Sequence, residues 1–224
     1  ENTCGTTYDA RIRPWFMTGA TGPKNVILIL DTSGSMATYN RIDVLKRAAK
    51  AVLDATTFAD FIGIVEFNND ARTYEGLTTL ARAMPEFKEV LGGFIDGFNT
   101  GGSTNMISGF ERAFKLVDDS NEKNYATGCH TTYVLVTDGV WDLDPTSTIT
   151  ERRETHSDEH FFVVGLGGGV DAQGLKDLSC KTGAIYTQTN DNDGESGLQR
   201  SMISFYKYYA LVKTLGKVEG YSWS

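Results

Sequence analysis

The sequence predicts an α/β fold: a doubly wound, mostly parallel sheet of six strands flanked by helices. Three observations predict it. Short apolar runs alternate with amphipathic runs along the whole chain. Four of the longer apolar runs are almost continuously apolar, as central strands covered on both faces must be. Polar, glycine-rich stretches follow those runs, where the ligand site of such a sheet lies.

The strands are expected at 26–30, 61–67, 71–74, 133–137, 161–166 and 184–187. The first helix is "RIDVLKRAAKAVLDAT", residues 41–56, with Ile42, Leu45, Ala49, Val52 and Leu53 on one face. "SGFERAFKLVDD", residues 108–119, repeats the pattern with Phe110, Ala113, Phe114 and Val117. Further helices are expected at 85–97, 145–156, 172–181 and 197–211. Strand and helix in alternation is the signature of an open doubly wound sheet. "TNDNDGESG" reads as a polar surface loop.

Composition bounds the function. The 224 residues suffice for one large domain with a core, and 40% apolar with 22% charged residues is the balance of an ordinary globule. The formal net charge of −8 disfavours nucleic acid as a partner and mildly favours a cation or a basic one. The longest apolar runs, "VILIL" and "FFVV", are far shorter than the ~20 residues that cross a bilayer. No signal peptide or lipidation signal is visible, and the start "ENTCG" reads as a mature or excised product. Three cysteines leave two readings open. Cys129 and Cys180 both precede strands and could pair at the lower end of one sheet, with Cys4 left over; alternatively all three are free thiols.

The strand ends carry the chemistry. The first strand runs into "DTSGS" (31–35), the fourth into "DGVWD" (138–142) and the fifth into "LGGG" (166–169), while "NTGGSTNM" (99–106) lies between two helical segments. A phosphate loop needs a lysine that "DTSGSM" lacks. "GLGGGVDAQGL" has Val170 where a dinucleotide loop needs its third glycine. "LDTSGS" resembles an aspartic-protease turn, but Ser33 replaces the required glycine and no second such turn exists to share a proton. There is no G-x-S-x-G elbow, and His130, His156 and His160 sit away from the upper strand ends. No C-x-x-C pair or H-E-x-x-H supports zinc.

A hard cation fits better, because such ions take oxygen ligands. Asp31, Ser33 and Ser35 alternate, so their side chains can converge from one loop, and Gly34 lets that loop turn tightly. Thr104 in "GGSTN" lies on a second loop, and Asp138 in "VTDG" stands at another strand end. Hydroxyl ligands with few carboxylates leave a cation electron-poor and in search of an anion.

"DTSGS", "GGSTN" and "TDG", in that order and on those elements, resemble the metal-ion-dependent adhesion site of von Willebrand factor type A domains. The resemblance covers about 24–212, and "FFVVGLGGGVDAQGLKDLSCKTGAIYTQ" is similar to that family's penultimate strand, helix and final strand. It implies that Ser33, Ser35 and Thr104 ligate a divalent cation, Mg²⁺ before Mn²⁺ or Ca²⁺. Asp31 and Asp138 would act directly or through water. It also implies a protein partner whose Glu or Asp takes the open position.

The two ends resemble something else. "YDARIRPWF", residues 8–16, is similar to the "YDPRxRPWY" stretch of double Cache domains, with Ala10 for the proline and Phe16 for the last tyrosine. Those continue into "W-S-x-P-Y", and this chain ends "VEGYSWS". The arrangement implied is an A domain (24–212) inserted between Cache segments (1–23 and 213–224). It resembles the alpha-two-delta subunits of voltage-gated calcium channels and related Cache proteins. By that resemblance Arg13 and Trp15 either line an amino-acid-type pocket or pack the host domain. The location would be extracellular, the full-length protein could be membrane-anchored, and the rest of the Cache domain would be a partner. A Cys129–Cys180 disulfide is implied too, Cys4 pairing outside the fragment. No N-x-S/T sequon is present.

The reading is thus a cation-dependent binding module and not an enzyme. The alternative is a structural domain of a sensor, with the metal holding loops in place. Metal-assisted hydrolysis would need a base, for which Asp142 and Asp144 are the candidates.

Overall fold

The computed structural model describes residues 22–139, 141–167 and 171–190. Strands β1 (Lys24–Asp31), β2 (Phe61–Phe67), β3 (Ala71–Thr73), β4 (Ala81–Arg82), β5 (His130–Thr137), β6 (Glu159–Leu166) and β7 (Ile185–Thr189) form one sheet. Its order is β3-β2-β1-β5-β6-β7, with β4 also paired to β2. All pairs are parallel except those of β3 and β4 with β2. The helices are α1 (Arg41–Ala55), α2 (Pro85–Asp96), α3 (Met106–Glu122), α4 (Thr146–Thr155) and α5 (Ala172–Thr182).

Six of the seven strands and all five of these helices stand where the apolar patterning placed them. The seventh strand, β4, is two residues long and too short to carry a period. The 3-10 turn over Gly34–Asn40 was also not anticipated. Strand β5 starts three residues earlier than its apolar run, because the polar "HTT" pairs with β1 and β6 like any backbone. The expected helix at 197–211 and the Cache-like segments, with Arg13 and Trp15, lie outside the described residues.

Burial explains the layers. All eight residues of β1 are buried, as a strand covered on both faces requires. Alternation divides the sheet's side chains between two cores. Val26, Leu28, Leu30, Ile62, Ile64 and Val134 pack with Leu45, Ala49 and Val52 of α1 and Leu91 and Ile95 of α2. Ile27, Ile29, Val65, Tyr133 and Leu135 pack with Phe110, Ala113 and Val117 of α3, Ile149 of α4 and Leu175 of α5. Gly63 turns toward the second core, where a Cβ would sit 2.5 Å from Leu116 Cδ2 and 2.7 Å from Leu80 Cδ2.

The lower edge of the sheet holds the buried charges of the scaffold. Lys24 and Asp60 form a buried ion pair at 3.0 Å. Arg152 pairs with Glu159 at 2.7 Å and with Asp118 at 2.8 Å, and Tyr133 donates its hydroxyl to Glu159 at 3.1 Å. His130 and His160 stack loosely on adjacent strands at this end, with ring centroids 5.8 Å apart. The histidines therefore stand away from the upper strand ends, as expected.

The Cys129–Cys180 bridge is not formed: both cysteines are free and exposed. The strands they precede, β5 and β7, are separated by β6. Cys129 immediately precedes β5, whereas Cys180 lies within α5.

Candidate metal centre

Strands β2 and β5 lie on opposite sides of β1. The chain leaves β1 toward β2 and leaves β5 toward β6, so the carboxyl ends of β1 and β5 flank the point where strand order reverses. Asp31 is the last residue of β1 and Asp138 follows the last residue of β5. Both are buried.

Hydrogen bonds fix Asp31 from both sides. Its Oδ1 accepts the Ser33 backbone N–H at 2.8 Å, and its Oδ2 accepts the Thr137 hydroxyl at 2.6 Å. Burial pushes its carboxyl up from 3.8 to about 6; hydrogen bonds from Ser33 and Thr137 oppose the rise, and the charge of Asp138 adds to it. Ser33 and Ser35 stand with their hydroxyl oxygens 3.0 Å apart. Gly34 between them has no left-handed backbone, and a Cβ there would only touch the Gly102 carbonyl at 3.4 Å, an ordinary contact, so neither its backbone nor its surroundings require glycine.

The second loop is bolted to the first. Gly34 N–H donates to the Gly102 carbonyl at 3.1 Å, and Gly101 N–H donates to the Thr32 carbonyl at 2.9 Å. Asn69 Oδ1 accepts the Ser103 N–H at 2.7 Å, and Asn105 N–H donates to the Asn68 carbonyl at 2.8 Å. Thr104, itself buried, is held from the third loop: its N–H donates to Asp142 Oδ2 at 3.2 Å, and Asp142 N–H donates back to its carbonyl at 3.2 Å. All five residues expected at a metal site thus lie on three loops that are joined by hydrogen bonds.

Sequence reasoning named Asp142 only as a base, and the structure instead gives it the work of clamping Thr104. Asp144 has a local role as well, accepting the N–H and hydroxyl of Thr146 at the start of α4. Arg41 was not named. Its Nη1 donates to Asp138 Oδ2 at 3.2 Å, with both side chains buried. A lone arginine at a helix start gives no sequence signal of that contact.

The other oxygen of Asp138 decides whether a cation fits. Oδ1 is buried and has no hydrogen-bond partner among the described residues. A buried carboxylate oxygen without a donor costs several kcal/mol unless a charge meets it. Among the described residues no group of three or more His, Cys, Asp or Glu side chains is placed to hold a metal. The donors here are two carboxylates and three hydroxyls, all oxygen, which suits a hard divalent cation and leaves its charge only partly neutralised.

Comparison with known proteins agrees with this architecture. The family model "von Willebrand factor type A domain" matches residues 25–200. Human voltage-dependent calcium channel subunit alpha-2/delta-2 is 31% identical over 132 residues, 59% of this chain and 11% of that protein. Human inter-alpha-trypsin inhibitor heavy chain H4 is 29% identical over 195 residues, 85% of this chain and 20% of that protein. The chain therefore spans a small part of the curated relatives it matches. A von Willebrand factor type A structure from Catenulispora acidiphila superposes with a TM-score of 0.67 at 18% identity, covering 85% of this chain and 43% of that one. Proximal thread matrix protein 1 from the mussel byssus, described with a zinc-occupied metal-ion-dependent adhesion site, gives 0.64 at 17% identity over 83% of this chain and 46% of that one. With the sheet order, the switch-point loops and a family match over most of its length, the chain belongs to the von Willebrand factor type A domain family.

Proposed function

We propose that residues 24–212 form an extracellular, divalent-cation-dependent protein-binding module. The observation that carries the reading is the buried Oδ1 of Asp138, without a hydrogen-bond partner among the described residues, beside the Asp31, Ser33, Ser35 and Thr104 loops. Ser33, Ser35 and Thr104 hold the cation through hydroxyls, and Asp31 and Asp138 contribute directly or through water. When bound, the cation supplies a positive charge with a position left for a carboxylate, here a Glu or Asp of a protein partner. Mg²⁺ is the first choice of ion, with Mn²⁺ and Ca²⁺ as alternatives of the same chemistry.

The residues divide the work. Asp31 is oriented by Ser33 and Thr137, and Thr104 by Asp142. Backbone hydrogen bonds tie the 31–35 loop to the 101–105 loop. That supports a binding role over one in which the cation merely orders loops. Asp142 and Asp144 are engaged in hydrogen bonds to backbone N–H groups, which supports a non-enzymatic role. The likeness to alpha-2/delta subunits supports an extracellular, membrane-associated setting with the flanks 1–23 and 213–224 belonging to a Cache domain. Arg13 and Trp15 would then serve that domain.

The test is thermal unfolding of the chelator-stripped chain, titrated with Mg²⁺, Mn²⁺ and Ca²⁺ beside Asp31→Ala. A ligand of the folded state raises the midpoint by mass action. A rise in the wild type that is lost in the variant is expected. No rise at millimolar metal in the wild type would sink the reading.

A further inference from the structure

We propose that Arg41 sets the balance between cation affinity and carboxylate capture at this site, holding the cation less tightly so that the partner's anion is held more tightly. The inference rests on the cation reading above.

Arg41 is built into the site. It is the first residue of α1, only six residues after Ser35. The two residues before it, Tyr39 (φ 50) and Asn40 (φ 60), are both left-handed, a conformation that costs a non-glycine residue energy and that therefore has to be held in place. The result is an arginine aimed inward, 6% exposed, where a helix start would ordinarily present it to water. Among the described residues, three groups lie against its guanidinium. Asp138 Oδ2 accepts from Nη1 at 3.2 Å. The Tyr39 ring lies 5.7 Å from the guanidinium carbon. Gly167, at φ +108, closes the third side, and a Cβ there would sit 2.3 Å from Nε. Only glycine leaves room for the arginine under the turn after β6.

The charge count then follows. Asp31 and Asp138 are the buried carboxylates of the site, and Arg41 is its buried cation. Glu66, the next buried carboxylate, is already matched by Arg72 and the Thr32 hydroxyl. Arg41 places a positive charge beside Asp138, so removing it makes the site more negative by one unit, which strengthens the hold on a cation and weakens the hold on an anion. Arg41 meets Asp138 on Oδ2 and leaves Oδ1 to the cation, so it repels the ion through space without blocking its ligand.

The experiment uses the full 224-residue chain, with Mn²⁺ as the cation and acetate as the carboxylate probe. Mn²⁺ affinity is read from the electron paramagnetic resonance signal of the free ion. Acetate affinity is read from the loss of water-proton relaxation as acetate displaces water from the loaded site. Arg41→Gln keeps a donor for Asp138 and removes the charge. It should tighten Mn²⁺ and weaken acetate, each by roughly tenfold, the size of a through-space charge effect at partial screening. Arg41→Lys, which keeps the charge, should restore both toward wild type. Gly167→Ala evicts the guanidinium without deleting it and should move both affinities the same way as Arg41→Gln, which keeps the idea testable if Arg41→Gln fails to fold. Weaker Mn²⁺ binding in Arg41→Gln would make Arg41 a mere support for Asp138 and overturn the inference, as would unchanged affinities. If the wild type itself takes up no Mn²⁺, the cation reading fails and this inference with it.

Discussion

Replacing Asp31 by Asn should stabilise the metal-free chain at neutral pH and abolish its response to metal. The carboxyl is buried and its pKa is about 6 against an ordinary 3.8. A difference of about two pKa units is about 3 kcal/mol between the protonated and ionised forms. The sign follows from linkage. The folded pKa lies above the unfolded one, so Asp31 favours folding fully below about pH 4. That contribution is lost as pH rises through about 6. At pH 7.5 in chelator, the wild type therefore carries an uncompensated penalty of about 3 kcal/mol. Asn carries none of it. Its Oδ1 can keep the Ser33 N–H, and its amide can donate to Thr137 in place of the bond Thr137 now donates. The cost of that rearrangement is about 1 kcal/mol. The net expectation is a gain of about 2 kcal/mol at pH 7.5 that fades toward zero or reverses near pH 4.

The assay is urea unfolding of both proteins at pH 4, 6 and 7.5, in chelator and again in saturating Mg²⁺. Metal should reverse the ranking at pH 7.5, because only the wild type recovers the penalty by binding. An Asn variant that is less stable than wild type by the same amount at every pH in chelator would refute the reasoning. Asp31 would then be a hydrogen-bond hub of the fold and not a carboxylate held in readiness for a cation.

Four further outcomes are expected. Cation affinity of the wild type should fall about tenfold per pH unit once the pH drops below about 6, since a proton then competes for Asp31; isothermal titration across pH 5 to 8 checks it. Thr104→Ala should cut Mg²⁺ affinity with little loss of stability in chelator, because the loop is held through its backbone N–H and carbonyl and not its hydroxyl. Arg152→Leu should cost about 3–5 kcal/mol in urea unfolding by leaving Glu159 buried and unpaired, yet leave cation affinity unchanged, since the pair lies at the opposite end of the sheet. Gly63→Ala should cost about 1–3 kcal/mol by overpacking against Leu116 and Leu80, read by the same unfolding assay.

The fold was legible wherever burial imposes a period. Strand β1 is buried on both faces and reads as an unbroken apolar run, while α3 carries an apolar stripe at helical spacing. What escaped has little period to show. Strand β4 is two residues paired to the edge of β2, and the 3-10 turn over Gly34–Asn40 owes its path to two left-handed residues, of which only Asn40 is of a type that favours that region. At the site, Asp31, Ser33, Ser35, Thr104 and Asp138 were legible because each sits in a short motif at a strand or helix end. Arg41 and Asp142 were not, since each acts across a gap of many residues: Arg41 on Asp138, and Asp142 on Thr104. The cysteine pairing failed for a related reason. That each cysteine comes shortly before a strand is visible in sequence, but whether the start of β5 and the end of α5 meet is not.

The two ends of the sheet treat buried charge differently. At the lower end the buried charges meet partners within the protein: Lys24 with Asp60, and Arg152 with Glu159 and Asp118. At the upper end the matching is incomplete. Asp31 is pushed toward its protonated form and Asp138 has one oxygen without a donor, although Arg41 lies close enough to serve the other. A fold under selection for stability alone would complete these pairs or replace them by apolar groups, since an unmatched buried charge is costly. The imbalance lies at the switch point, where the loops are already tied together by backbone bonds. It is therefore not a by-product of loose loops. On the cation reading proposed above, the upper-end carboxylates are held in a state that a bound cation would improve, and Arg41 would limit how far it improves it.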